Sequence, residues 1–284
     1  MKKILILVSI LCLGVLSACQ TGSAANPAGN PSGNPTGASQ VPPPGNSETV
    51  FGSDLDLMQN QPPQSGDTVA IIHTSMGDIY VRFFPEETPL AYENFVTHAR
   101  NGYYDGLIFH RVMEDFMIQG GCAEGTGMAG ESIWGEGFGP EWSRNLRHFR
   151  GALAMAQSAM PNSIGSQFYI VHGSISGREL PAEWVEDFEW AKENQDFDLG
   201  QDLEGNDLTL GDLHPIVQME GYLRYGGTPH LDMSLSQQGP GHTVFGQVIS
   251  GMDVVDAIAA VETDSVNDRP LSDVVIERIT VFEY

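Results

Sequence analysis

Phe109-His110-Arg111-Val112-Met113-Glu114-Asp115-Phe116-Met117-Ile118-Gln119-Gly120-Gly121 is the run on which the reading of this chain turns. Apolar and polar residues alternate along it, which predicts two short strands, Leu107 to Met113 and Phe116 to Gln119, joined at Glu114 and Asp115. An arginine, a glutamine and two large apolar side chains, Phe116 and Met117, are thereby gathered on neighbouring strands. Such a set can hold an amide while an apolar ring sits beside it. A half-buried hairpin with an arginine on its solvent face would produce the same run, so the rest of the chain has to decide.

Upstream, Val69 to Met76 and Asp78 to Phe84 are β-rich runs separated by Gly77, a hairpin signal. Thr88 and Pro89 then open a predicted helix through about Arg100, with Thr88 as N-cap and Leu90, Phe95, Val96 and Ala99 as its apolar side. Downstream comes a glycine-rich stretch from Gly125 to Gly139. It reads as a surface loop, because a phosphate cradle would need a strand-to-helix context and a lysine. Gly151 to Gln157 is a strand of small residues, which suggests close approach by another group. Gly165 to His172, Thr243 to Ile249 and Val274 to Phe282 add strands, and Met252 to Val261 a second helix. Many short strands without a βαβ rhythm predict an antiparallel barrel or sandwich.

The chain has 284 residues, 41% of them hydrophobic, enough for one large domain with appendages. Lys2 and Lys3 precede an apolar run from Ile4 to Leu16 that has the charge order of a secretory leader and is short for a membrane span. It ends in Leu16-Ser17-Ala18-Cys19, which resembles the lipobox of bacterial lipoproteins. That resemblance implies a leader over residues 1–18, a lipidated Cys19 and an extracytoplasmic chain anchored to the cell membrane. Residues 19–66 are rich in Gly, Pro, Asn and Ser, with the repeat Asn26-Pro27-Ala28-Gly29, Asn30-Pro31-Ser32-Gly33, Asn34-Pro35-Thr36-Gly37, and read as a disordered tether. Whether the apolar residues around Val50 to Met58 dock on the domain is open in the sequence. The net charge of −24 excludes nucleic acid as partner. With Cys12 in the leader and Cys19 lipidated, Cys122 is left without a disulfide partner and reads as a small packed residue.

Four motifs in order, Phe109-His110-Arg111, Phe116-Met117-Ile118-Gln119-Gly120-Gly121, Gly165-Ser166-Gln167-Phe168 and His242-Thr243-Val244-Phe245-Gly246, make residues 67–284 resemble the cyclophilin-type peptidyl-prolyl isomerases. Ala91-Tyr92-Glu93-Asn94-Phe95 extends the likeness to the first helix. The resemblance implies a mainly-β fold, a closed eight-stranded antiparallel barrel capped by two helices, and isomerisation of Xaa-Pro bonds without cofactor or metal. It implies Arg111 as catalytic residue, with Gln119 helping to place it. Phe116, Met117, Tyr169, His230, Leu231 and His242 would line the proline pocket, and Ala156, Gln157 and Gln167 the groove for preceding residues. The partners implied are proline-containing unfolded or exported polypeptides, met at the membrane surface by a monomer. The competing reading is a non-catalytic chaperone or adhesion module that binds proline segments in the same groove.

The sequence also departs from the family pattern. Tyr169 stands where a phenylalanine is usual and adds a hydroxyl that needs a partner if buried. His230 falls where many members have a tryptophan, and Gln157 replaces an asparagine. An acidic insertion at about 174–228 should hold helices from Pro181 to Asn194 and from about Asp212 to Tyr225. It reads either as a solvated decoration or as a client-selecting wall. Its acids Asp196, Asp198, Asp202, Glu204 and Asp207 lack the glycine placement of a calcium loop. A second insertion, 233–241, reads as a mobile loop at the pocket rim.

Overall fold

The computed structural model describes residues 55–173, 182–201, 207–213, 216–234 and 239–284. The expected leader, Cys19 and the tether as far as residue 54 lie outside the described residues, as do Asp202, Glu204 and the centre of the second insertion.

Two strands, β1 (Thr68–Thr74) and β2 (Gly77–Phe83), form the opening hairpin. Gly77 takes a φ of +135° at its turn, and a Cβ there would lie 2.8 Å from Val254. Helix α1 (Pro89–Arg100) follows, then β3 (Arg111–Met113), β4 (Met117–Gly120), β5 (Ala152–Met155) and β6 (Phe168–Val171). Where the sequence was expected to carry an acidic insertion lie α2 (Ala182–Glu193), the hairpin β7 (Asp198–Gln201) and β8 (Asp207–Thr209), α3 (Leu210–Leu213) and α4 (Ile216–Tyr225). Short β9 (Met233–Ser234) and β10 (Gly239–Pro240) pair with each other across the second insertion. The chain closes with β11 (Val244–Ser250), α5 (Met252–Ala259) and β12 (Ile276–Glu283).

Eight strands make one antiparallel sheet in the order β12-β1-β2-β11-β5-β6-β4-β3. The expected closed barrel is corrected to a half-barrel, because the end strands β3 and β12 do not form a ladder. The expected strand from Leu107 divides its bonds between two neighbours. Residues 111–113 pair with β4. Residues 107–109 turn instead to the segment leading into β12, through the Ile108–Val275 bridge and the bonds Phe109 N–H to Val274 O (3.0 Å) and Ile276 N–H to Leu107 O (2.7 Å).

Alternation along the strands sorts their side chains onto two faces. On the inner face Ile118, Ile170, Leu153, Phe168 and Phe245 join Phe83, Phe95 and Tyr104 in the main core. The Phe95 ring of α1 is its hub, with centroids 5.1 Å from Tyr104, 5.2 Å from Phe168 and 5.2 Å from Phe245. Helix α5 covers the same core with Met252, Val255, Ile258 and Ala259. On the outer face Met117, Tyr169, Val171, Ala152, Ala154 and Val244 form a second, smaller cluster with Phe84 and Leu146.

Two local expectations for α1 change. Thr88 is the N-cap residue as expected, but its hydroxyl donates to Val244 O at 3.3 Å and does not bond a helix N–H. The carboxylate of Glu141, on a distant loop, accepts from the N–H groups of Leu90 (3.1 Å) and Ala91 (2.8 Å), where a negative charge also suits the helix dipole. Leu90, expected on the apolar side, is exposed, and Ala91 is buried in its stead.

Residues 55–60, ahead of β1, also pack on the sheet domain. Leu57 is buried against Phe149, with Leu55, Val217, Tyr222 and Tyr225 around them. Gln59 is buried as well. Its amide donates to Arg147 O and to Gln247 Oε1, both at 2.9 Å, and its oxygen accepts from Arg147 N–H at 2.7 Å.

Candidate active site

Strand register puts Arg111 opposite Gln119, Gln119 opposite Tyr169, Tyr169 opposite Ala154 and Ala154 opposite Val244. Directly opposed residues of antiparallel strands share a face, so these five cross the outer face as one row. Arg111 stands at its open end on the edge strand β3. A turn with Asp115 at φ +62° reverses the chain between β3 and β4 and sets Phe116 beside this row. Phe116, Met113, Ala156 and Leu231 pack on the outer cluster as partly buried residues. The result is an apolar floor with a guanidinium at one margin.

Arg111 is a third exposed at its side chain, with Nε 3.5 Å from the Asp268 carboxylate and Nη2 3.1 Å from the Met113 sulfur. The other fork nitrogen, Nη1, makes no hydrogen bond among the described residues. Gln119 does not hydrogen-bond Arg111 there. Its amide donates to Gln167 Oε1 at 2.9 Å, and Gln167 in turn donates to the carbonyls of Gly127 and Ala129, each at 2.9 Å. In this structure the carboxylate beside Arg111 is that of Asp268, while Gln119 and Gln167 hold each other and Gln167 holds the glycine-rich loop. Asp268 was missed because it lies far along the chain, in the loop before β12, and carries no motif.

Of the remaining expected pocket residues, Met117 and Tyr169 are buried and Leu231 sits at the rim. His230 is exposed and stacks on Phe116, with centroids 5.6 Å apart and planes 25° from parallel. His242 meets the Tyr169 ring edge-on at 5.6 Å. Gln157 lies next to Ala156 and keeps a buried Oε1 without a partner among the described residues. Ala156 N–H donates to Gln167 O at 2.9 Å, so the groove residues form one wall.

The Tyr169 hydroxyl finds the partner its burial demands in His148, whose Nε2 lies 2.9 Å away. His148 Nδ1 and its backbone N–H both reach Asp232 Oδ1, at 2.7 and 3.0 Å. Because a carboxylate only accepts, Nδ1 carries the proton and, in the neutral ring, Nε2 accepts from tyrosine. Asp232 Oδ2 takes a hydrogen bond from the Tyr222 hydroxyl at 2.5 Å and lies 3.8 Å from Arg147 Nε. Burial works to raise the Asp232 pKa, but the bonds and charge from His148, the charge of Arg147 and the Tyr222 hydroxyl together hold it below the ordinary carboxylate value. Burial drives the Tyr169 hydroxyl well above its ordinary value, so it stays a neutral donor.

Two histidines beside the site are kept uncharged. Burial, then the positive charges of Arg111 and Arg269, lower His110 from 6.5 to about 4 against a weaker opposing pull from Gln167. Burial and the neighbouring His148 lower His242 to about 4, with the Met155 backbone opposing. Neither histidine thus adds a positive charge beside Arg111 near neutral pH. Cys122 is buried, as its packing role required, and its sulfur accepts from Gly127 N–H at 3.2 Å.

The family model described as cyclophilin type peptidyl-prolyl cis-trans isomerase/CLD matches residues 69–281. A Staphylococcus aureus protein named "Putative peptidyl-prolyl cis-trans isomerase" is 43% identical over 224 residues, covering 79% of this chain and 96% of the relative. A Staphylococcus epidermidis protein of the same name is 42% identical over 224 residues with the same coverage. Among solved structures, a Cryptosporidium parvum cyclophilin type peptidyl-prolyl cis-trans isomerase aligns with a TM-score of 0.52 at 24% identity, over 77% of this chain and 99% of its own. The structure of that protein in the presence of the dipeptide Ala-Pro also gives a TM-score of 0.52, at 25% identity over 76% and 99% of the two chains.

Proposed function

The chain belongs to the cyclophilin-type peptidyl-prolyl cis-trans isomerases, and from that premise we propose that it isomerises Xaa-Pro bonds of exported polypeptides at a membrane surface, with Arg111 as catalytic residue. One observation carries the assignment of the site: a guanidinium with a nitrogen uncommitted among the described residues stands at the margin of a cluster of apolar side chains, Met117, Tyr169, Ala154 and Val244, on one sheet face. The Ala-Pro dipeptide used with the Cryptosporidium parvum protein has the chemistry this floor suits, a compact apolar ring joined to an amide.

An amide resists rotation by about 18–20 kcal/mol because its nitrogen lone pair is delocalised. A planar amide nitrogen offers that lone pair to no donor, whereas a twisted, pyramidal one does. A hydrogen bond from Arg111 to the prolyl nitrogen therefore strengthens on the way to the transition state, which is what lowers a barrier. Asp268 and the Met113 sulfur hold the guanidinium before substrate arrives. Reducing an isomerisation of tens of seconds to under a millisecond takes roughly 10⁵-fold, or about 7 kcal/mol. One charge-assisted hydrogen bond supplies about 1.5–3 kcal/mol, so holding the substrate carbonyl and seating the ring on the apolar floor must supply the larger part.

The lipid anchor at Cys19 and the tether place this chemistry outside the cytoplasm in this reading, where newly exported chains await slow proline steps. The test is an exchange-NMR or protease-coupled assay of an Xaa-Pro peptide with the wild-type chain and Arg111→Ala. Loss of about 10- to 100-fold in kcat/KM with an unchanged melting temperature is expected from the hydrogen bond's worth. Equal turnover in the two proteins would sink the assignment, and binding without turnover in both would favour the non-catalytic reading.

A further inference from the structure

The acidic insertion and the pocket floor are joined by one buried chain of polar groups. The end of the insertion runs from α4 through Gly227 to Asp232. Thr228 N–H bonds His148 O at 2.8 Å, and Gly227 bridges to Phe149. Asp232, the last residue of this return, holds His148 at two points, and His148 holds the Tyr169 hydroxyl. Tyr222, on α4 itself, donates to the other carboxylate oxygen. Tyr169, His148 and Asp232 are 3%, 1% and 3% exposed, so water does not compete for these bonds. Helix α4 is also seated too closely to drift, because a Cβ on Gly221 would lie 2.8 Å from the Phe149 ring and 3.0 Å from Leu57.

We infer that His148 and Asp232 are positioning residues of the proline pocket, and that through Tyr222 they let the inserted helix α4 set how firmly the Tyr169 ring is held there. This rests on the isomerase reading of the site. In that reading the ring lies under the bound proline in the ground state and in the transition state alike. Loosening it therefore weakens binding uniformly and raises KM while kcat stays.

The experiment is a double-mutant cycle in the full chain with Tyr169→Phe, Tyr222→Phe and both, each of which removes only a hydroxyl. Two readouts apply: KM and kcat on a short Ala-Pro-containing peptide, and the ring-nitrogen NMR signals of His148 without substrate. Tyr169→Phe is expected to raise KM about fivefold, the worth of one neutral hydrogen bond, with kcat unchanged, and Tyr222→Phe about twofold. The double variant should stay near fivefold, short of the tenfold product, because both hydroxyls act through one carboxylate and one imidazole. Tyr222→Phe should also shift the His148 nitrogens. Multiplicative KM effects, or a Tyr222→Phe protein whose His148 signals and KM match the wild type, overturn the inference. Should the wild type show no turnover, the isomerase reading falls by itself, and the His148 signals still decide whether Tyr222 is coupled to Tyr169.

Discussion

Lowering the pH from 7 to 5 is the perturbation to which His110 and His242 should answer. Both are held near 4 in the folded protein against 6.5 in an unfolded chain, chiefly by burial. Neither ring nitrogen of His110 has a partner of good geometry among the described residues, and Nδ1 of His242 has none. Between those two values the unfolded chain binds protons that the native one refuses, so stability is lost as the pH falls through 6.5 and the loss levels off near 4. From pH 7 to pH 5 each histidine costs about 2 kcal/mol, so the pair costs about 4 kcal/mol. His98 and His172, lowered mainly by burial, push the same way. The buried Asp232 does not confuse the reading, because its carboxyl is held below its ordinary 3.8 and stays ionised throughout this window. Urea unfolding at the two pH values, with the slope m checked for constancy, measures the difference. Set against a typical total of about 5–15 kcal/mol, it is large. An unfolding free energy equal or greater at pH 5 would refute the reasoning. So would a His110→Gln, His242→Gln double variant that kept the full pH slope.

Two further substitutions probe the parts outside the sheet. Gln59→Ala removes three buried hydrogen bonds, two of them to the backbone of Arg147, at a cost of about 3 kcal/mol; thermal melting should fall by several degrees, and an unchanged melting temperature would show that the segment before β1 adds nothing. Gly221→Ala gains about 1 kcal/mol of helix propensity but drives a methyl into Phe149 and Leu57, where overpacking costs about 1–3 kcal/mol; net destabilisation is expected, and a more stable variant would mean α4 sits farther from Phe149.

What could be read from the sequence was what period and motif encode. The alternation from Leu107 to Gln119 located the hairpin that presents Arg111, and the Thr88-Pro89 signal located α1 to the residue. Alternation assigns a side chain to a face but does not say what covers that face. The need of Tyr169 for a partner was visible, whereas His148 and Asp232 were not, being 21 residues from Tyr169 and 84 from His148 respectively. Glu141 at the N-terminus of α1 and Asp268 on Arg111 are likewise contacts made by loops, whose course no periodicity describes. The half-barrel escaped for a related reason. Residues 107–113 have one alternating pattern, yet they divide their backbone bonds between β4 and the segment ahead of β12. Leu55 and Leu57 stood out from their Pro/Gly-rich surroundings, but period and motif left open whether they dock, because their partners Phe149 and Tyr222 lie far along the chain.

That last segment redraws the seam along which this protein can be taken apart. By homology of the sheet alone, the catalytic unit would be cut just before Thr68, and any tether could be spliced on there. Gln59 argues against that cut, since its amide group bonds both the carbonyl and the N–H of Arg147, one residue from His148. A truncation that keeps Leu55 to Gln59 keeps the contacts with Phe149, Arg147 and Gln247. One that starts at Thr68 inherits the sheet and Arg111 but leaves the ground under the pocket floor unpinned.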